Sequence, residues 1–127
     1  MLFRSTIPLN LERSDFTAIR RALRVLEGGG VVGIFPEGPS SVNGHLERGQ
    51  PGVALLALRS GAPVVPVAIR GTYEALVGRR FYIPRLRPLR VTIGAPRVFS
   101  ETRHPGDKAL REDATRRIMA DIADLLL

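Results

Sequence analysis

The stretch from Ile34 to Gly44, IFPEGPSSVNG, gathers the residues of this 127-residue sequence that are best suited to handle a ligand. Glu37 offers a carboxylate that can accept a hydrogen bond from a substrate hydroxyl or orient a neighbouring arginine. Gly38 lets backbone come close to a ligand, and Ser40 and Ser41 add hydroxyl donors. A serine nucleophile on a strand-to-helix elbow would need glycine two residues before it and two after it, with a helix at once. Val42 stands where the second glycine of Ser40 should be, and Asn43-Gly44 turns the chain instead. Pro-Glu-Gly-Pro is also ordinary turn chemistry, so on composition alone the segment reads as a polar turn.

A general base is the other group that hydroxyl chemistry asks for, and the sequence holds two histidines. His45 lies in the same loop as Glu37, but nothing in the sequence provides it with an orienting carboxylate, and it reads as an exposed loop residue. His104 precedes Pro105 in a connector and reads as a helix-entry residue. The absence of cysteine excludes disulfides, thiolate metal sites and cysteine nucleophiles.

The elements that must position this loop follow from periodicity. SDFTAIRRALRVLEGGG predicts a helix behind a Ser14 or Asp15 cap, with Phe16, Ile19, Leu23 and Leu26 inward and Gly28–Gly30 ending it. A three-glycine run cradles phosphate only where it follows a strand and opens a helix, and the order here is the reverse. VVGIF, residues 31–35, predicts a buried strand; PGVALLALRSG a short helix with Pro51 in its first turn and Gly61 past its end; PVVPVAI a second buried strand. Continuous apolarity in both strands predicts an α/β fold, a mostly parallel sheet with helices on both faces. Beyond Gly71 the chain is irregular and basic, RVTIG supplies one more strand, and an amphipathic helix from about Asp107 to Leu125 turns Leu110, Ala114, Ile118, Ile122 and Leu125 inward.

Size and composition fit one globular domain: 44% of the residues are hydrophobic and 24% charged. The formal net charge of +7 is almost wholly arginine, since Lys108 is the only lysine among nineteen basic residues. Arginine favours bidentate contact with phosphate or carboxylate, which points to an anionic membrane surface, nucleic acid or a phosphorylated small molecule as partner. No nucleic-acid motif or interleaved aromatic platform is present, so nucleic acid is not expected. No apolar stretch approaches a membrane span and no signal peptide opens the sequence. A cytoplasmic protein, peripheral at the inner face of the membrane, is expected.

FPEGPSS resembles the FPEGTRS signature of the glycerolipid acyltransferases, the family of 1-acylglycerol-3-phosphate O-acyltransferase. RGQPGVALLAL follows at the spacing of that family's Gly-x-x-x-Leu-Ala helix, GAPVVPVAIRGTYEAL resembles its next block, and IPLNLERSD is similar to its second block. The resemblance runs from about residue 5 to Pro96. It implies a glycerol-3-phosphate acyltransferase-like fold, and an acceptor hydroxyl attacking the thioester of acyl-CoA or acyl carrier protein, a co-substrate rather than a cofactor; it implies no metal. It further implies that Arg13 binds the acceptor phosphate, that Glu37, Gly38, Ser40 and Ser41 line the acceptor site, and that Pro66 shapes the acyl or thioester side. The acceptor would be a lysophospholipid or related glycerol phosphate.

Two departures qualify that picture. The arginine of the family's TRS is Ser40 here, which removes a phosphate ligand. The family's base and its orienting carboxylate belong to an H-x4-D motif, and none exists in these residues: five positions after His45 stands Gln50, and five after His104 stands Ala109. No catalytic residue is therefore assigned, and residues 1–127 are expected to be a partial, N-terminally truncated acyltransferase domain, blocks two to four without the first, inactive in isolation. The alternatives are a non-catalytic anion- or membrane-binding module using Arg79, Arg80, Arg85, Arg87 and Arg90, and a decayed remnant that exposes one core face.

Overall fold

A computed structural model describes residues 7, 16–38, 44–75, 86–99 and 107–127. Its elements are α1 (Phe16–Glu27), α2 (Pro51–Ser60), β1 (Val67–Arg70), α3 (Thr72–Ala75), β2 (Arg90–Ile93) and α4 (Lys108–Leu125). The Ser14 or Asp15 cap, and Arg13, Ser40, Ser41, Arg79, Arg80, Arg85 and His104, lie outside the described residues.

α2 is the centre of the molecule because its sequence is apolar all round: every residue from Val53 to Leu58 is buried. Pro51 opens it, where its missing N–H costs no hydrogen bond, and Gly61 closes it in the left-handed region at φ 65°, its N–H donating to the Ala57 carbonyl. Val53, Ala54, Ala57 and Leu58 pack with Phe99, Ala114 and Ile118, and Val64, Leu110 and Ile122 extend that core. α4 therefore presents the inward positions that its sequence predicts, with Thr115 buried beside them.

α1 flanks α2, with Ala18 and Ala22 as its buried residues; Ile19, Leu23 and Leu26 are half-buried and Phe16 is exposed. The inward face is thus rotated from the large apolar residues toward the alanines, which let two helices approach closely. The glycine run ends α1 as expected: Gly29 sits at φ 78°, and the Gly30 N–H reaches back to the Val25 carbonyl at 2.8 Å.

Asp107 caps α4, its Oδ1 accepting from the Ala109 N–H at 2.9 Å. Replacing it with alanine leaves that donor without its cap and is expected to cost about 1 kcal/mol of stability, read by urea denaturation.

β1 and β2 pair antiparallel in the register Val67↔Ile93, Ala68↔Thr92, Ile69↔Val91 and Arg70↔Arg90. Gly71, at φ 92°, then turns the chain out of β1 where the Pro88 carbonyl fills the space a Cβ would need. Ala68 is buried, with α4 packed against β1, while Val67, Ile69, Val91 and Ile93 stay exposed on the opposite side. Val31–Phe35 pairs with no strand among the described residues, and Val31 and Phe35 are 92% and 78% exposed. The expected burial of that segment is not observed, because burial of a strand takes neighbours on both edges and cover on both faces. The second expected strand begins later than its apolar run, at Val67, after an isolated bridge from Val64 to Arg97.

Candidate functional site

The described ends of the polar segment after Phe35, residues 36–38 and 44–50, bond to each other, and Glu37 and Gly38 take part. Phe35-Pro36-Glu37-Gly38 makes the first turn: Pro36 holds the second position, and the Gly38 N–H donates to the Phe35 carbonyl at 3.2 Å, with Gly38 at φ 82°. The chain comes back through residues 44–50. There the Gln50 N–H donates to the Pro36 carbonyl at 2.7 Å, and the Glu47 N–H donates to Glu37 Oε2 at 2.6 Å. Glu37 is thus fixed by a charge-assisted bond across ten residues of sequence. One carboxylate oxygen takes the Glu47 N–H of the returning limb, and Glu37 is half-buried.

Two close contacts seat the returning limb. Gly44, at φ 79°, lies under the Tyr73 ring, where an added Cβ would come within 2.8 Å of the ring edge. Gly49 lies on α4, where a Cβ would meet Met119 Cγ at 2.6 Å and Thr115 Cγ2 at 2.9 Å. Because Gln50 is also the N-cap position of α2, the core helix holds the limb at its end. His45 sits on this limb, exposed to solvent.

Pro66 is placed elsewhere. It is buried, its carbonyl accepts from the Gly94 N–H at 2.9 Å, and its ring packs at Gly94, which also lies against Leu125. The loop limb meets α4 at Met119 and the Pro66 contact meets it at Leu125, about 9 Å farther along the helix axis at 1.5 Å per residue. Pro66 borders an open groove of about 520 Å³ with Gly94, Arg97, Asp121 and Leu125. In it Arg97 grips Asp121 with two bonds, Nε to Oδ2 at 2.6 Å and Nη2 to Oδ1 at 2.8 Å. The hydrogen bond from Arg97 holds the Asp121 carboxyl below the usual carboxylate range, against the opposing effect of burial. A depressed pKa stabilises the fold above the ordinary carboxylate pKa of about 3.9, and that contribution disappears as pH falls through the depressed value. Asp121→Asn is therefore expected to lower Tm at neutral pH, and its deficit against wild type should close progressively below about pH 4 in thermal melts.

The sequence singles out Glu37, Gly38 and Pro66 but gives no sign of Tyr73, Thr115 and Met119, against which Gly44 and Gly49 of the returning limb lie. Thr115 and Met119 are spaced i, i+4 on one helix face, but that spacing alone does not distinguish a seat for a loop from ordinary helix packing.

The model of the acyltransferase family matches residues 2–70, more than half of the chain, and that span contains the whole FPEG loop and its return. The chain belongs to the acyltransferase family. It is 35% identical over 60 residues to the chloroplastic 1-acyl-sn-glycerol-3-phosphate acyltransferase BAT2 of Brassica napus, and equally to LPAT1 of Arabidopsis thaliana. Each match covers 47% of this chain and 17% of the relative, so the chain matches about a sixth of the length of these curated relatives. No solved structure matches it. Among the described residues no three His, Asp or Glu side chains gather to hold a metal, and no helix is long and apolar enough to cross a membrane.

Proposed function

We propose that this chain supplies the acceptor-binding part of an O-acyltransferase. The enzyme transfers a fatty acyl group from acyl-CoA or acyl carrier protein to a lysophospholipid or related glycerol phosphate in phospholipid synthesis. The observation that carries the reading is the loop clasped by Glu37, inside the span matched by the family model. Both relatives are named for acylating 1-acyl-sn-glycerol 3-phosphate, which supports a phosphorylated acceptor with a free hydroxyl. Glu37 and Gly38 line that acceptor, with Arg13, Ser40 and Ser41 completing the site and Pro66 serving the acyl or thioester side. The work is done at the inner face of a membrane.

An alcohol is a poor nucleophile until a base takes its proton in the transition state, and these residues contain no H-x4-D to do so. Residues 1–127 accordingly represent blocks two to four of the domain, and they bind acceptor without acylating it. In the complete domain the sheet is mostly parallel with helices on both faces; the antiparallel β1–β2 pair is compatible with an edge of such a sheet. The test is twofold. Lysophosphatidate should bind this chain in calorimetric titration, and acyl-CoA plus lysophosphatidate should release no CoA above a Glu37→Ala control. Absence of binding sinks the acceptor site, whereas CoA release sinks the claim of inactivity.

One observation favours a second reading, a surface for anionic lipid. Arg70 and Arg90 stand directly opposite each other across the β1–β2 pair, a like-charge placement that an anion would relieve. Exposed Arg87 adds to that charge. Sedimentation with phosphatidylglycerol vesicles that survives Glu37→Ala and is lost on Arg70→Gln/Arg90→Gln would favour it.

A further inference from the structure

The returning limb, residues 44–50, is pinned at two places, and the donor that meets Glu37 stands between them. Gly49 lies on α4 at Thr115 and Met119; Gly44 lies under the Tyr73 ring, where an added Cβ would come to 2.8 Å from Cδ1, 2.9 Å from Cγ and 3.3 Å from Cε1. Glu47, whose N–H donates to Glu37 Oε2 at 2.6 Å, is three residues after Gly44 and two before Gly49. The α4 pin belongs to the core, since Thr115 is buried. The Tyr73 pin does not: the residue is 44% exposed and stands outside the cluster around α2. A ring so exposed gains little stability from burial, and the contact that it does make is with the limb.

Tyr73 itself stands on a fixed turn. Gly71, at φ 92°, has the Pro88 carbonyl where a Cβ would be, and its own carbonyl accepts from the N–H of buried Ala75 at 3.0 Å. The start of α3 is therefore set by the connection into β2, independently of the loop. We infer that Tyr73 is a positioning residue for Glu37. Its ring holds Gly44, which a φ of 79° already reserves for glycine, and so sets where the Glu47 N–H meets the carboxylate. Ring carbons make the contact, so the role needs the ring and not the hydroxyl. Tyr73 touches no substrate in this scheme; it acts through the limb on the carboxylate whose remaining lone pairs take the acceptor hydroxyl. This assignment rests on the acceptor-binding reading above.

The test reads two quantities on the 127-residue chain: amide exchange at Glu47 without ligand, and affinity for short-chain lysophosphatidate in calorimetric titration. Tyr73→Ala is expected to speed Glu47 exchange about tenfold and to weaken lysophosphatidate binding about fivefold, whereas Tyr73→Phe should keep both within about twofold of wild type. Asp107→Ala, which loses the α4 cap, should also keep both, so that a loss of stability alone is told apart. The deciding arm is a double-mutant cycle with Glu37→Ala. Once the carboxylate is gone, adding Tyr73→Ala should change affinity less than about twofold, because the two residues act through one bond. An undiminished loss in that background overturns the assignment and makes Tyr73 a direct contact. Unchanged Glu47 exchange in Tyr73→Ala overturns it too, as does faster exchange with unchanged affinity. If Tyr73→Ala does not fold, Tyr73→Leu, which has no flat ring, is expected to show the same two losses. Wild type that binds no lysophosphatidate sinks the acceptor reading, and the exchange comparison then decides by itself whether Tyr73 holds the Glu37–Glu47 bond.

Discussion

Glu37→Ala is expected to weaken binding of lysophosphatidate by at least tenfold, the functional loss assigned to a single side chain in this loop. The carboxylate does two things that alanine cannot: it accepts from the Glu47 N–H across the loop, and it presents its remaining lone pairs at the mouth. Glu37→Gln separates the two roles. A glutamine carbonyl can still accept from Glu47, so the loop stays closed, but the charge is gone and the bond reverts to the weaker neutral kind. Binding lost in both variants assigns the carboxylate to the acceptor hydroxyl; binding lost only in Glu37→Ala assigns it to loop closure. Equal affinity of wild type and Glu37→Ala would remove Glu37 from the site altogether. Backbone amide exchange at Glu47, measured alongside, reports closure independently and should rise only in Glu37→Ala.

The legibility of this site was uneven for physical reasons. Local signals were reliable: Pro51 and Gly61 bracket α2 because each is suited to the backbone geometry its position needs, and the glycines after Glu27 end α1 in the same way. The Pro-Glu-Gly turn is likewise local, so its geometry follows from the sequence. Non-local pairing was not. Whether VVGIF lies in a sheet depends on strands brought to it from elsewhere, and its apolarity is the same exposed or buried. Glu37's partner, the Glu47 N–H, is a main-chain group present at every residue except proline, so no side-chain pattern marks it. Gly49 has a φ outside the left-handed region, so turn chemistry does not mark it; what demands glycine there is the surface of α4.

That demand makes Gly49 the position where loop and core are coupled, and Gly49→Ala is expected to cost about 2 kcal/mol, in the range for overpacking a filled site. The new Cβ would meet two neighbours of unequal compliance. Met119, met at Cγ 2.6 Å and Sδ 2.8 Å, is unbranched and can swing aside. Thr115 is buried and β-branched, and its hydroxyl bond to the Arg111 carbonyl fixes the rotamer that aims Cγ2 at Gly49. The limb, rather than the helix, should therefore move, and because Gln50 and Glu47 are the two donors that close the loop, its movement loosens the grip on Pro36 and Glu37 together. Urea denaturation should show the stability loss and titration with lysophosphatidate a parallel fall in affinity. Thr115→Ser in the same chain removes the methyl while keeping a hydroxyl for Arg111, so the double variant should recover much of both losses, whereas Met119→Ala should recover little because Met119 was never the obstacle. Recovery by Met119→Ala and not by Thr115→Ser would reverse that assignment of the stiff neighbour. A Gly49→Ala chain as stable as wild type would show that the limb does not rest on α4 at all.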